Sequence, residues 1–264
     1  MINGEDMIER EKGQDELLCL ILAAGKGTRM KSDLAKVLHS LCGRPLLSYV
    51  VDVARRVGAV RTVIIVGHQA DRVRESVRGG DLSFVEQREQ LGTGHAVRIA
   101  REEFREWKGP ILILCGDVPL LTPETLEALL LEHRKSGAAV TVLTTVLGDP
   151  GSYGRVVKEE DGEVLRIVEA RDASEEEKRV REINAGIYCA GGDFLAEAVG
   201  EIRNENAQKE YYLTDIVEIA RRKGLRVRAL VAAFPPEVMG INTPDDLGEA
   251  ERLVRSGFLG PCTS

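Results

Sequence analysis

Apolar and polar positions along this 264-residue chain follow two periods that take turns. Leu17 to Ala23 is unbroken apolar sequence, too short for a membrane span and right for a parallel strand buried on both faces. Pro45 to Val57 has helical spacing, with Leu46, Leu47, Val50, Val51 and Val53 apolar and Arg55-Arg56 ahead of Gly58. The β-branched run Val60 to Val66 predicts a second strand, Asp71 to Val77 a short helix, and Leu82 to Val85 a third strand. A polar loop from Glu86 to His95 leads into a helix expected over Ala96 to Trp107. Pro110 to Cys115 is the next strand, and it ends in Gly116-Asp117-Val118-Pro119.

Thr122-Pro123-Glu124 starts a helix cleanly, with Thr as cap, Pro at the first helical position and Glu in the first turn. That helix is expected to reach about Lys135, with a strand over Ala138 to Val146. The pattern then changes. Gly154 to Lys158 and Val164 to Glu169, parted by Glu160-Asp161-Gly162, predict a hairpin, and the charged stretch Asp172 to Arg181 a surface helix or loop. Gly186 to Ala190 and Val227 to Ala232 read as strands, Leu213 to Arg222 as a helix. Thr243-Pro244-Asp245-Asp246 repeats the Thr-Pro-acid start, for a helix to about Arg255. Alternating strand and helix imply an α/β fold, its sheet mixed but mostly parallel with helices on both faces.

Composition narrows the partners. The net charge of −7, with both signs mixed along the chain, argues against nucleic acid or an anionic membrane surface as the main partner. The five cysteines include no CxxC pair, and three of them lie in apolar strand-like runs. A reducing, cytoplasmic compartment is expected, and a zinc site is not. Residues 1–15 are acidic and give no secretory signal; they read as a mobile extension.

Candidate chemistry gathers first at the end of the opening strand. Ala24-Gly25-Lys26-Gly27-Thr28-Arg29 supplies small residues and free backbone N–H groups, and Lys26, Arg29 and Lys36 supply cations. A polyphosphate needs such a set at the carboxyl end of a parallel strand. It is not a P-loop, because Gly27 separates Lys26 from Thr28, and Met30 stands where the dinucleotide fingerprint needs its third glycine. Taken alone, the loop is equally explained as a solvated glycine-rich turn. Asp117 sits where α/β ligand sites form and could hold Mg²⁺ with Asn242. Each residue alone is also explained as a turn or helix-entry cap. Gln87 and the Gln90-Leu91-Gly92-Thr93-Gly94 loop suit a nucleobase edge, or form an ordinary connection. Glu169 and Asn184 could bond sugar hydroxyls and Gly154 could offer its N–H, or all three could serve local backbone. His95 reads as structural.

Taken together, LAAGKGTRM, Lys36-Val37-Leu38, EQLGTGHA, GDVPL, YGR, IVEARDA, EINAGIY, AQKEYYLTDI and Gly240-Ile241-Asn242 occur in order. Over roughly residues 17–255 the chain resembles the sugar-nucleotide pyrophosphorylase family, specifically the N-terminal uridylyltransferase half of a bifunctional bacterial enzyme. The resemblance implies a Rossmann-like nucleotidyltransferase fold and Mg²⁺-dependent transfer of UMP from UTP to N-acetylglucosamine 1-phosphate, releasing pyrophosphate. By position it implies Arg29, Lys36 and Asp117 as catalytic residues. Leu22, Ala23, Ala24, Gly25, Lys36, Gln87, Gly92 and Thr93 would hold the nucleotide. Gly154, Glu169 and Asn184 would hold the sugar, and Asp117 and Asn242 the metal. It divides the chain into a nucleotide-binding part at about 16–148, a sugar-binding part at about 149–242, a C-terminal helix at about 243–255 and a tail at 257–264. Cys115 stands where related enzymes often carry an aromatic. No hexapeptide-repeat run follows, so neither a left-handed β-helix nor acetyl transfer is expected of this sequence. Another sugar 1-phosphate, dTTP, or a non-catalytic UDP-sugar sensor are the rival readings.

Overall fold

A computed structural model describes residues 16–160 and 162–258. The expected acidic extension at 1–15 and the last six residues of the expected tail lie outside them.

The apolar runs become a single large sheet. Its strands are β1 (Leu17–Ala23), β4 (Ala59–Val66), β5 (Leu82–Glu86), β6 (Pro110–Cys115), β7 (Val140–Val146), β8 (Arg155–Lys158), β9 (Val164–Val168), β10 (Glu182–Gly191) and β11 (Val227–Val231). A two-residue ribbon, β2 (Ser40–Leu41) with β3 (Arg44–Pro45), stands apart. The main order is β11-β7-β10-β6-β1-β4-β5, with β8 and β9 hung on β10. Pairs β1–β4, β1–β6, β4–β5 and β7–β11 are parallel, whereas β10 runs antiparallel to both β6 and β7. The sheet is therefore mixed and mostly parallel, as the alternation implied.

Seven helices cover it: α1 (Leu46–Arg56), α2 (Ala70–Ser76), α3 (Thr93–Ile99), α4 (Pro123–Ser136), α5 (Gly192–Glu201), α6 (Asp215–Arg222) and α7 (Pro244–Arg255), among the described residues. Successive strand residues point to opposite faces, so β1 feeds two cores. Leu18 and Leu20 join Val97, Leu195 and Ile216 on one face; Cys19 and Ile21 join Val50, Val73 and Leu129 on the other. A third, smaller core packs Met30 of the glycine-rich loop with Leu46, Ile241, Ala250 and Val254, seating α7 beside the loop. No helix among the described residues is long and apolar enough to cross a membrane.

Three expectations change. The helix placed at Ala96–Trp107 begins at Thr93, ends at Ile99, and gives way to a 3₁₀ turn at Arg101–Glu103. Helix α5 was not expected, because it starts directly from β10 with Gly191-Gly192 and no polar loop. Gly192 is required there, since a Cβ would lie 2.1 Å from the Trp107 carbonyl oxygen. The charged stretch Asp172–Arg181 takes the second of its two expected forms, a loop, with one short 3₁₀ turn at Glu177–Arg179. Lastly, β10 is longer than Gly186–Ala190: a register shift between Asn184 and Ile187, with Gly186 at φ +74, lets it pass a bulge and continue.

Candidate active site

The carboxyl ends of β1 and β6 lie side by side, which sets the glycine-rich loop next to Gly116-Asp117. Gly116 N–H donates to the Leu22 carbonyl at 2.9 Å, so the two strand ends are joined directly. Beyond β1 the chain turns through Gly27 at φ +71, and a Cβ on Gly27 would lie 2.6 Å from the Lys36 Cβ. Only glycine allows that approach, and it brings Lys36 over the strand ends.

Lys36 Nζ donates to Asp117 Oδ2 and, at 3.1 Å, to Asn242 Oδ1. Arg29 donates to the same Asn242 oxygen at 2.9 Å. Residues far apart in sequence thus meet at one point. The Asp117 carboxylate and the Asn242 amide oxygen both face one ammonium group, so their lone pairs converge. Two convergent hard oxygens suit a hard divalent cation that takes its remaining ligands from phosphate and water. Among the described residues no group of three or more His, Cys, Asp or Glu could hold a metal ion.

A cavity of about 790 Å³ opens beside this cluster. Its walls include Leu22, Arg29, Thr93, Cys115, Asp117, Gly154, Glu169, Asn184 and Asn242. Glu169 follows β9, and burial raises its carboxyl above the usual range, against a hydrogen bond donated by Thr214 at 3.4 Å. Gly154 precedes β8, with its Cα hydrogens toward Ile167 and the Glu169 carboxyl; its carbonyl accepts from Asn184 N–H at 2.9 Å. Asn184 lies within β10 rather than ahead of a strand. Its side-chain oxygen accepts from Gly186 N–H at 2.9 Å and its amide donates to the Tyr188 hydroxyl at 2.7 Å.

The other expected nucleotide contacts are placed differently. Gln87 is buried, and its amide donates to the Gly92 carbonyl at 3.0 Å and lies 3.1 Å from His95 Nδ1. It braces the loop from behind. Gly92 (φ +104) caps α3 with its Cα against the Tyr211 carbonyl, and Thr93 accepts from Leu213 N–H at 3.1 Å while facing the cavity. Ala23 and Ala24 are buried at the strand end; the space around the Gly25 Cα is open. Cys115 donates to the Gly186 carbonyl at 3.3 Å, and burial, then Asp117, push its thiol up to about 12, so it is neutral.

Sequence reasoning passed over Tyr153, Tyr188 and Thr214, all in the cavity wall. Thr214 lay inside the AQKEYYLTDI segment without being singled out. Tyr153 and Tyr188 lay likewise inside the YGR and EINAGIY segments.

A mostly parallel sheet with a glycine-rich loop, a lysine and an acid–amide pair at its carboxyl rim is the arrangement in which open α/β sheets hold their ligands. A family model described as the MobA-like NTP transferase domain matches residues 19–182, and the chain belongs to that family. It is 54% identical over 241 residues to the bifunctional protein GlmU of Geobacter metallireducens, covering 91% of this chain and 51% of that protein. Against GlmU of Desulfotalea psychrophila the identity is 45%, covering 92% of this chain and 72% of that one. The chain thus spans about half the length of the first curated relatives it matches. A crystal structure of UDP-glucose pyrophosphorylase complexed with UDP-glucose shares the fold, with TM-score 0.73 and 20% identity over 91% of this chain and 99% of that one.

Proposed function

We propose that this chain transfers UMP from UTP to N-acetylglucosamine 1-phosphate, releasing pyrophosphate and forming UDP-N-acetylglucosamine, in the cytoplasm. The observation that carries the reading is the meeting of Lys36, Arg29, Asp117 and Asn242 at one point beside a cavity walled by Glu169 and Asn184. The choice of base and sugar follows the family resemblance carried by the sequence motifs.

In this reading a phosphate oxygen of the sugar phosphate forms a bond to the α-phosphorus while the bond to the departing pyrophosphate breaks. The attacking oxygen is already an anion, so no general base is required. The obstacle is charge: two unit charges 4 Å apart repel by about 4 kcal/mol at an effective dielectric near 20. Lys36 and Arg29 offset that repulsion by standing where the phosphates would meet. Mg²⁺, held by Asp117 and Asn242, would supply a divalent charge that neutralises phosphate oxygens. The backbone from Leu22 to Gly25, with Gly92 and Thr93, holds the nucleotide, and Gln87 holds the Gly92 loop in place. Gly154, Glu169 and Asn184 orient the sugar.

The test is a pyrophosphate-release assay with UTP, N-acetylglucosamine 1-phosphate and Mg²⁺, run beside dTTP and other sugar 1-phosphates. Release should be fastest with the named pair, and Asp117→Ala should abolish it while leaving thermal unfolding cooperative. Tight binding of UDP-N-acetylglucosamine without any release of pyrophosphate would identify a sensor instead.

A further inference from the structure

Glu237 is only 3% exposed, and its partners are hydroxyls rather than a cation. Its carboxylate accepts from Thr122 at 2.8 Å and from Thr125 at 2.9 and 3.0 Å. Burying a carboxylate on hydroxyl groups alone is costly. Its setting reduces the cost: Thr122 is the N-cap of α4 and accepts from Thr125 N–H at 3.3 Å, so the carboxylate sits at the positive end of that helix.

The location of this clamp gives it a use. Thr122 lies five residues after Asp117, and Glu237 lies five residues before Asn242. Between the two segments there is a second stitch, in which Ile241 N–H donates to the Asp117 carbonyl at 2.9 Å. Gly240 lets the two segments of this stitch approach, since a Cβ there would stand 3.2 Å from Asp117 Oδ2. The two segments therefore form a closed loop, fastened at Glu237 and at Ile241, with Asp117 and Asn242 at the second fastening. Release of the Glu237 end would leave the Asn242 segment with the Ile241 bond, the Asp246 carboxylate on Asn242 N–H, the Lys36 and Arg29 bonds to the Asn242 oxygen and its packing, but without the anchor at its far end.

We infer that Glu237 is a positioning residue, one that holds the Asn242 amide oxygen in register with the Asp117 carboxylate so that the pair is ready to receive a divalent cation. This rests on the reading of Asp117 and Asn242 as the cation-holding pair. Glu237 touches neither substrate nor metal and acts through the segment that ends at Asn242.

The test uses Mn²⁺ alone, titrated into the chain and followed by loss of the free-ion paramagnetic resonance signal. Alongside it stand the Mg²⁺ concentration for half-maximal pyrophosphate release and the thermal midpoint. Glu237→Gln and Thr125→Val are compared with the unaltered chain; the second removes the hydroxyl that the two carboxylate oxygens share and keeps the cap at Thr122. Both should weaken Mn²⁺ binding and raise the Mg²⁺ requirement by about tenfold, the usual size for a partner that orients a metal ligand. The KM for UTP at saturating Mg²⁺ should stay within about twofold. If Glu237→Gln does not fold, Thr125→Val alone gives the result. Folded variants with unaltered Mn²⁺ affinity, whatever their thermal midpoint, overturn the inference and leave Glu237 a structural clamp. Asp117→Ala separates the two levels: unaltered Mn²⁺ binding in that variant removes the cation pair itself.

Discussion

Asp215, in the first turn of α6, shows how placement changes a carboxyl group. Burial raises it to about 6, and Glu218, Glu169 and Asp172 add to the rise. Its ordinary value is near 4. Between those two values the folded chain binds more protons than the unfolded one, so stability falls as pH rises through that window, and the full penalty is present above it. Asp215→Asn should therefore stabilise the fold at pH 8 and have no such benefit at pH 3. The group is partly exposed, so the gain after solvent screening is about 1 kcal/mol, read from denaturant midpoints at the two pH values. The residue scale also marks what the sequence made legible. Arg29, Lys36 and Asp117 sit in motifs that carry the family resemblance, although each taken alone also has a plain structural reading. Glu237 cannot be read so, because its meaning depends on two threonines more than a hundred residues away.

Among elements, the loop before α3 and the segment before α6 behave as one. Tyr211 N–H donates to the Leu91 carbonyl at 2.8 Å, and Gly94 N–H returns the bond to Tyr211 at 2.7 Å. Thr93 and Leu213 complete the lacing on the cavity side. Gly92 makes this possible, since a Cβ there would lie 2.6 Å from the Tyr211 oxygen and φ is +104. Gly92→Ala should cost about 1–3 kcal/mol of stability, through strain and a lost backbone bond. It should also weaken UTP binding on the order of tenfold; equilibrium binding and denaturant unfolding measure the two effects. The sequence showed a polar, glycine-rich loop here and offered a nucleobase or a plain connection as its use. It could not show the lacing, because backbone hydrogen bonds to a distant segment leave no pattern in side chains. The same limit hid α5, whose glycine-rich start resembles a turn until Trp107 is placed against Gly192.

In the whole molecule, the sheet does not divide where the sequence divides. Strand β10, from the expected sugar-binding part, lies between β6 and β7 of the expected nucleotide-binding part and pairs with both. A fragment ending at residue 148 would leave β7 without its neighbours on either side, β10 and β11, and would strip Tyr188, Leu195 and Ile216 from one core. Such a fragment should lack a cooperative thermal transition by circular dichroism, and recovery of full cooperativity would show that this part folds unaided. The sequence by itself determined the α/β class, the strands buried on both faces and the basic, glycine-rich loop. Hydrophobic periodicity and turn chemistry are local properties that each segment carries with it. Only the tertiary structure decided that Lys36, Asp117 and Asn242 share one point, that Gln87 braces a loop, and that Glu237 ties two segments together. Those are contacts between residues distant along the chain, set by strand order and by which backbones approach closely.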